Sequence, residues 1–573
     1  MTDLSNVPIP DISLDTPDMK KERLEWEANE FKYEDKKRVA FLNLIETQEK
    51  ENKETGERFE VITGVNEASL YKWIQDFIPN VNHENLATPY ILDRETNLWQ
   101  ERKDIRGIIL KELSTTAQEA CEMYFDLEQV PNAIFRAIKS VARDYANEMV
   151  TVTDPSHPLV EVQEPNLVPF KNGLFNFDDN SVRPITPNDY IVDTLPYEII
   201  PSTEEDTEVK YFLDFLEWLT GESTRVLVPY MGFLFYRSQK TIQTMMIFIN
   251  GKTANGRNGK STVTDYIEYL FGGDNQHYSN IKINDLADNT KDFVKQYLKH
   301  KYVNIDADAG GKFLKNTEDL KKLSSNDTIV SNVKGKDHIW FKSYARLLLG
   351  TNELPDFRDN SDGLKERWVL VPFIENMTTP ENKAMFNKPE AKFSDENKAK
   401  FMYNDTARGK VAYYCIQEFK KLVAENLSAN PFKELMVPEA KEILNEMDYD
   451  NDPIQQFLDD NAIEITGSEE HFMEKDELWE AYEKHAGTRM AYSKPKFFKL
   501  LAQKGAITKG NSNRSPRRRV GGTITNVILG IHYEPADLRL LESFPAPLKD
   551  GVGKAVDEET AEELNKYLEK EGL

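Results

Sequence analysis

Residues 247–262, Ile-Phe-Ile-Asn-Gly-Lys-Thr-Ala-Asn-Gly-Arg-Asn-Gly-Lys-Ser-Thr, have the types and spacing that grip a phosphate chain. A short apolar strand, Met245–Asn250, runs into a glycine-rich turn, and Lys-Ser-Thr then opens a helix near Lys260. Gly256 and Gly259 let the backbone curl until its N–H groups face a phosphate. The first turn of the helix adds its positive end. Lys260 is placed to reach the β- and γ-phosphates of ATP, and the Ser261 hydroxyl to complete the shell of a Mg²⁺ ion. The nucleotide-binding set is therefore Asn255, Gly256, Arg257, Asn258, Gly259, Lys260, Ser261 and Thr262. One departure is visible: the first glycine of G-x-x-x-x-G-K-[ST] is replaced by Ala254. A Gly/Asn surface loop that happens to precede Lys-Ser is the plainer alternative. The strand before it and the amphipathic run Val263, Ile267, Leu270, Phe271 after it weigh against that alternative.

Downstream, Lys301-Tyr-Val-Asn-Ile-Asp-Ala-Asp308 ends a hydrophobic strand in two acidic residues. In a P-loop ATPase the strand beside the loop delivers one carboxylate to Mg²⁺ and another to polarise the attacking water. Asp306 and Asp308 share a face of an ideal strand, and Asp308 is assigned to the metal with Ser261. A strand followed by an ordinary acidic loop is the alternative, outweighed only because the distance from the P-loop suits an intervening helix, strand and connection. Leu348-Leu-Gly-Thr-Asn352-Glu-Leu-Pro355 is a second apolar strand with a polar end, and Asn352 suits a sensor of the γ-phosphate; a strand-capping Asn before a Pro turn fits it equally. Arg367, with Arg358 as a second candidate, precedes a further strand and suits a charge-stabilising group inserted into a neighbour's site. A salt-bridged surface arginine is the alternative. Between the acidic strand and Asn352, β-rich arms flank Lys334-Gly-Lys336, with His338 beside them. This reads as a hairpin whose basic tip grips DNA phosphates without reading sequence, or as an exposed hairpin kept soluble by lysine.

On these residues the chain resembles the superfamily 3 AAA+ helicases, and more narrowly the helicase module of phage, plasmid and poxvirus primase-helicases. The matching runs are Asn258-Gly-Lys-Ser-Thr262, Asp306/Asp308, Thr351-Asn-Glu-Leu-Pro355 and Arg367-Trp-Val-Leu-Val-Pro-Phe373, in that order. Pro169-Phe-Lys-Asn-Gly-Leu-Phe-Asn176 and Gly232-Phe-Leu-Phe235 are similar to the accessory region before that core, so the likeness covers residues 65–535. The resemblance implies a homohexameric ring that hydrolyses ATP with Mg²⁺ between subunits. Single-stranded DNA would be drawn through the centre with 3′→5′ translocation. It assigns Lys260 and Ser261 to ATP·Mg²⁺, Asp306/Asp308 to the acidic site, Asn352 to the sensor, Arg367 to the trans-acting finger and Lys334 or Lys336 to DNA. The family often carries Glu at the position of Asp308. No primase-type carboxylate pair with a downstream His is evident: Asp154 and His157 flank a Pro turn, and Asp178-Asp179 sits in a hairpin loop. A helicase without its own primase is expected, served by a separate primase or initiator.

These residues need an α/β scaffold. The expected fold is an AAA+ P-loop ATPase core, preceded by an N-terminal mainly helical α+β region and followed by a C-terminal winged-helix domain. The boundaries are a charged, partly flexible segment at 1–64, an accessory α+β domain at 65–205, the core with its preceding helices at 206–380, a helical connection at 381–450, the winged helix at 451–535 and an acidic tail at 536–573. Asp18 to about Lys53 favours helix, and Glu49–Arg58 reads as a solvated linker or frayed helix. Asp104–Glu112, Ala117–Phe125 and Ala133–Val150 show helical periodicity, while Leu167–Phe170, Gly173–Phe177 and Tyr190–Leu195 are strand-like. In the C-terminal region, helices at Pro453–Asp460, Lys475–His485 and Ser493–Lys504 precede two strands flanking Asn511–Arg519. Lys494, Lys496, Lys499, Arg514, Arg517, Arg518 and Arg519 make it basic, which suits DNA contact, origin duplex included; a protein-docking wing is the alternative.

The net charge of −26 weighs against nucleic acid only as a whole-chain average. Two distant cysteines argue against disulfides and a Cys-based zinc site and suit a reducing cytoplasm, here that of a bacterial host. Neither a secretory leader nor a membrane span is expected. The leading reading is an ATP-dependent replicative DNA helicase of a phage or mobile element, acting on single-stranded and forked DNA. The alternatives are an origin-binding AAA+ initiator or loader without processive unwinding, and a P-loop regulatory protein without a nucleic-acid role.

Overall fold

The protein is described by a computed structural model over residues 33 and 35–532, except 87, 253–255, 273–276, 311–316, 334–337, 356–362, 426–427, 451, 488–491 and 510–514. It is a mixed α/β chain with two compact units, Met1–Leu444 and Asn445–Leu573.

At the centre of the first unit lies a parallel sheet of five strands. Across it the order is Tyr278–Ser279, Val303–Asp306, Arg346–Gly350, Met245–Asn250, Trp368–Phe373. The interior strands MMIFIN and RLLLG and the edge strand WVLVPF are buried almost end to end, as expected where both faces are covered. Pro372 is tolerated because its strand lies at an edge. The strand beside the phosphate loop is thus Arg346–Gly350, and the acidic strand lies one place further out, which corrects the sequence expectation of direct adjacency. Helices Thr207–Thr220, Thr224–Leu234 and Asp405–Glu425 pack beside the sheet. Gly232 is required there, since a Cβ would fall 1.9 Å from the Cys415 carbonyl oxygen.

The N-terminal part differs from expectation. Ile45–Glu51 and Arg58–Val65 form an antiparallel hairpin instead of a linker or frayed helix. Gly56, at φ +68°, makes the turn, and the side chains of Ile45–Glu51 are almost all exposed, so charge conceals the strand pattern. The two expected helices around Ala117 are one, Ile105–Phe125, because Leu113, Ala117, Ala120 and Cys121 continue one buried stripe. With Glu67–Phe77 and Asn132–Asn147 it closes a core around Trp73, Ile109 and Ile138. A four-stranded sheet follows, ordered Leu98–Glu101, Tyr90–Asp93, Asn80–His83, Thr151–Val152. Leu167–Phe170 pairs with Gly173–Asn176, but Tyr190–Leu195 forms no strand and contributes only a bridge from Leu195 to Phe170.

The second unit packs helices Pro453–Asp460, Lys475–Ala486 and Lys494–Gln503 around Phe457, Tyr482 and Phe497. A sheet runs Phe472–Glu474, Thr523–Leu529, Arg517–Val520. The expected pair of strands flanking Asn511–Arg519 is corrected. Arg517–Val520 is itself a strand, turning at Gly521-Gly522 (φ +56° and +90°) into Thr523–Leu529. Two successive left-handed residues match a two-residue hairpin turn.

Candidate active site

The C-terminal ends of the parallel strands gather the residues that the sequence separates. Gly256, Arg257 and Gly259 have φ of +71°, +47° and +90°, so the turn is a concave run of left-handed backbone. A side chain at Gly259 is strained: its φ is positive, and a Cβ would sit 2.8 Å from Leu219 Cδ2, which would have to move. Gly259 caps helix Lys260–Leu270, whose first turn carries Lys260, exposed Ser261 and half-buried Thr262. The Arg257 carbonyl accepts from the Met377 N–H at 2.9 Å, which pins the turn to the chain beyond the edge strand. Asn255 and Ala254 lie outside the described residues.

Lys260 Nζ donates to Asn352 Oδ1 at 3.0 Å and to Asn250 Oδ1. Asn250 also accepts from buried Asn258 at 2.9 Å. The ammonium is therefore held between two amide oxygens that a phosphate oxygen can replace. Burial pushes the Lys260 pKa down, and Asp308 opposes that shift. Asn250 was missed by sequence reasoning. Its signal is the same as that of Asn352: an amide ending an apolar strand.

The two acidic residues part company. The strand stops at Asp306, so Asp308 falls in the turn after it, and the two do not share a strand face. Asp306 is 8% exposed and accepts from the Ile283 N–H at 2.8 Å, and its burial raises its pKa. Asp308 is exposed and electrostatically coupled to Lys260.

Arg367 stands just before its strand, which pairs directly with the phosphate-loop strand, at the N-terminal end of the parallel sheet and so at the opposite end from the phosphate loop. The strand of six residues separates it from that end by ~20 Å. Its guanidinium donates to the Lys321 carbonyl at 2.5 Å, Ser324 Oγ at 3.2 Å and Gln243 Oε1 at 2.7 Å, and burial pushes its pKa down. Arg358 lies outside the described residues.

Thr328–Ser331 and Ile339–Lys342 form the expected hairpin arms. Lys334 and Lys336 lie outside the described residues, while His338 is exposed just before the return arm. The base is anchored: Lys342 pairs with Glu161 at 2.6 Å and Ser331 donates to the Asp292 carbonyl at 2.7 Å. In the second unit Arg517, Arg518 and Arg519 are exposed along one strand, as are Lys496 and Lys499 on the helix before it. Lys494 is paired with Asp476 at 2.7 Å, and Arg514 is outside the described residues.

Residues 252–367, which span this site, match the model of a family of unknown function (DUF5906). A protein of Acanthamoeba polyphaga mimivirus described as "Putative helicase L207/L206" is 23% identical over 212 residues, covering 36% of this chain and 22% of that protein. The chain thus spans about a fifth of that relative's length. Among solved structures, the apo A form of the NrS-1 C-terminal region aligns with 80% of this chain and 98% of its own, at a TM-score of 0.38 and 14% identity. A second structure of that region, residues 305–718, gives a TM-score of 0.41 at 16% identity.

Proposed function

We propose that the chain is an ATP-dependent DNA helicase of the superfamily 3 AAA+ type, working as a homohexamer in the replication of a phage or mobile element. The observation that supports this reading best is the convergence of Lys260, Asn352 and Asp308 at one end of the parallel sheet, from three separate motifs. The mimivirus relative, described as "Putative helicase L207/L206", favours a nucleic-acid role.

In this reading the left-handed turn and the helix N-terminus bind the phosphates of ATP, and Lys260 exchanges its amide partners for phosphate oxygens. Ser261 and Asp308 are hard oxygen donors at exposed positions and fit a Mg²⁺ ion, which when bound neutralises charge on the β- and γ-phosphates. Asn352 orients the γ-phosphate or its attacking water. Asp306, already used by the Ile283 N–H, holds the acidic segment in place rather than contacting water. Arg367 completes the site of a neighbouring subunit. The hairpin lysines carry single-stranded DNA 3′→5′, and the exposed arginines of the second unit contact duplex or origin DNA. The protein works in the host cytoplasm with a separate primase or initiator.

The test is ATP hydrolysis and forked-duplex unwinding by the wild type and Lys260→Ala. Wild type is expected to hydrolyse ATP faster with single-stranded DNA and to open the fork, and the variant to lose both activities by about 10²–10³-fold. A fork left closed by a DNA-stimulated wild-type ATPase assigns the chain to origin-binding initiators instead. Hydrolysis unaffected in Lys260→Ala overturns both.

A further inference from the structure

The opposite end of the parallel sheet holds a second polar cavity, of ≈ 260 Å³. Its floor comes from residues just before three strands: His277, the run Lys299-His300-Lys301-Tyr302, and Tyr344. Its cover comes from the N-terminal sheet, with Trp99 and Glu101, and from the loop carrying Tyr190 and Asp193. The phosphate loop is at the other end of those strands, so the two sites are separate.

The lining is cationic and aromatic. Lys299, Lys301 and Arg237 face only two carboxylates, Glu101 and Asp193. Burial pushes the pKa of His277 down, against Asp193, and that of His300 well down. Lys299 forms no ion pair among the described residues: its Nζ lies 3.5 Å from the Asn85 carbonyl, and Glu101 acts on it only from a distance. Two nitrogens, His300 Nε2 and Arg237 Nε, are fully enclosed and have no hydrogen-bond partner among the described residues. Enclosed polar nitrogens are costly unless something satisfies them. His300 is moreover held at φ +59°, a conformation uncommon for any residue with a Cβ, in the turn that presents Lys299 and Lys301. Trp99 stacked on Tyr190 at 5.2 Å, with Tyr302 and Tyr344, gives the walls a flat apolar character. Excess positive charge, unsatisfied nitrogens and aromatic walls fit an anion that carries a ring.

We propose that this cavity binds the phosphate of a nucleotide, with the base against the aromatic wall, as a second site apart from the phosphate loop. Occupation would tie the N-terminal sheet to the parallel sheet, because both supply its walls. The inference does not rest on ATP hydrolysis, and its test is chosen to be independent of Lys260.

The experiment is calorimetric titration of the full chain with dTMP, which lacks the β- and γ-phosphates. Saturable binding is expected in the wild type and unchanged in Lys260→Ala. Lys299→Met should weaken it about tenfold or more and Lys299→Arg should restore it; thymidine, without the phosphate, should bind about tenfold more weakly or worse. Competition by oligothymidylate assigns the ligand to a nucleotide within a strand, and its failure to compete assigns it to a free mononucleotide. No saturable dTMP binding, equal binding of thymidine, binding lost in Lys260→Ala, or binding retained in full by Lys299→Met each overturns the proposal. Thermal unfolding of Lys299→Met shows that a loss is not a failure to fold.

Discussion

The two ends of the parallel sheet handle positive charge in opposite ways. At the C-terminal end, Lys260 stands at the mouth of an open left-handed turn, with Ser261, Asp308 and Asn352 all exposed around it. At the N-terminal end the cations are withdrawn from water. Arg346 is 0% exposed, donates to the Tyr344 carbonyl at 2.9 Å and the Ser238 carbonyl at 2.5 Å, and lies 3.9 Å over the Phe233 ring. Its pKa falls to about 9 and that of Lys299 to about 8, both through burial. Burial lowers the Lys260 pKa too, and a carboxylate opposes the shift at both lysines, Asp308 at Lys260 and Glu101 at Lys299. A cation that must exchange partners is kept at solvent, whereas one that fixes the scaffold is buried and donates to backbone carbonyls. Arg367 crosses this division: it is held at the N-terminal end by Lys321, Ser324 and Gln243, yet is proposed to act on a neighbour's C-terminal end.

The largest expected effect is therefore on Arg367. Arg367→Ala should lower kcat for ATP hydrolysis by about 10³-fold or more. Mixing it with Lys260→Ala subunits should restore part of the rate, because some interfaces then pair an intact Lys260 with an intact Arg367. If mixing restores nothing while the variant unfolds earlier, Arg367 belongs wholly to the scaffold. The next effect separates the acidic pair. Asp308→Asn should slow hydrolysis by about 10²–10³-fold with no change in thermal midpoint. Asp306→Ala should instead cost about 1–3 kcal/mol of stability, measured by denaturant unfolding, because the Ile283 N–H loses its acceptor. Equal kinetic losses in the two variants would remove the distinction between them.

The open end was largely legible in the sequence, and the closed end was not, for a physical reason. A phosphate loop is local: Gly256, Gly259 and Lys260 announce the backbone and the ammonium within a few residues. Asn352 was legible as a polar end to an apolar strand, although its contact with Lys260 joins positions far apart in the chain. Lateral order was not legible, since no local pattern says that Arg346–Gly350 inserts between the loop strand and the acidic strand. Where Val303–Asp306 ends was also hidden, and with it the separation of Asp306 from Asp308. Charge misled twice. Ile45–Glu51 exposes its side chains and so looks like linker, and Arg517–Arg519 looks like a loop until Gly521-Gly522 is read as the turn. Lys299-His300-Lys301 drew no functional reading from the sequence, because only tertiary packing brings it against the N-terminal sheet.

That enclosure gives the smallest but most diagnostic effect, a dependence of stability on pH. In the unfolded chain Lys299 has an ordinary lysine pKa near ~10.4. In the folded chain it falls to about 8. Between those values the unfolded state binds more protons, so folding stability gained from this group rises with pH through that window. Below about pH 8 both states are protonated and the folded one bears the full cost of an enclosed ammonium. Lys299→Met should therefore have a higher thermal midpoint than wild type near neutral pH, with the gap closing as pH approaches ~10.4. Added dTMP should narrow the gap near neutral pH by stabilising the charged wild type alone. Were Lys299→Met less stable than wild type near neutral pH, the lysine would be a scaffold cation, and the contrast between the two ends would hold without a second site.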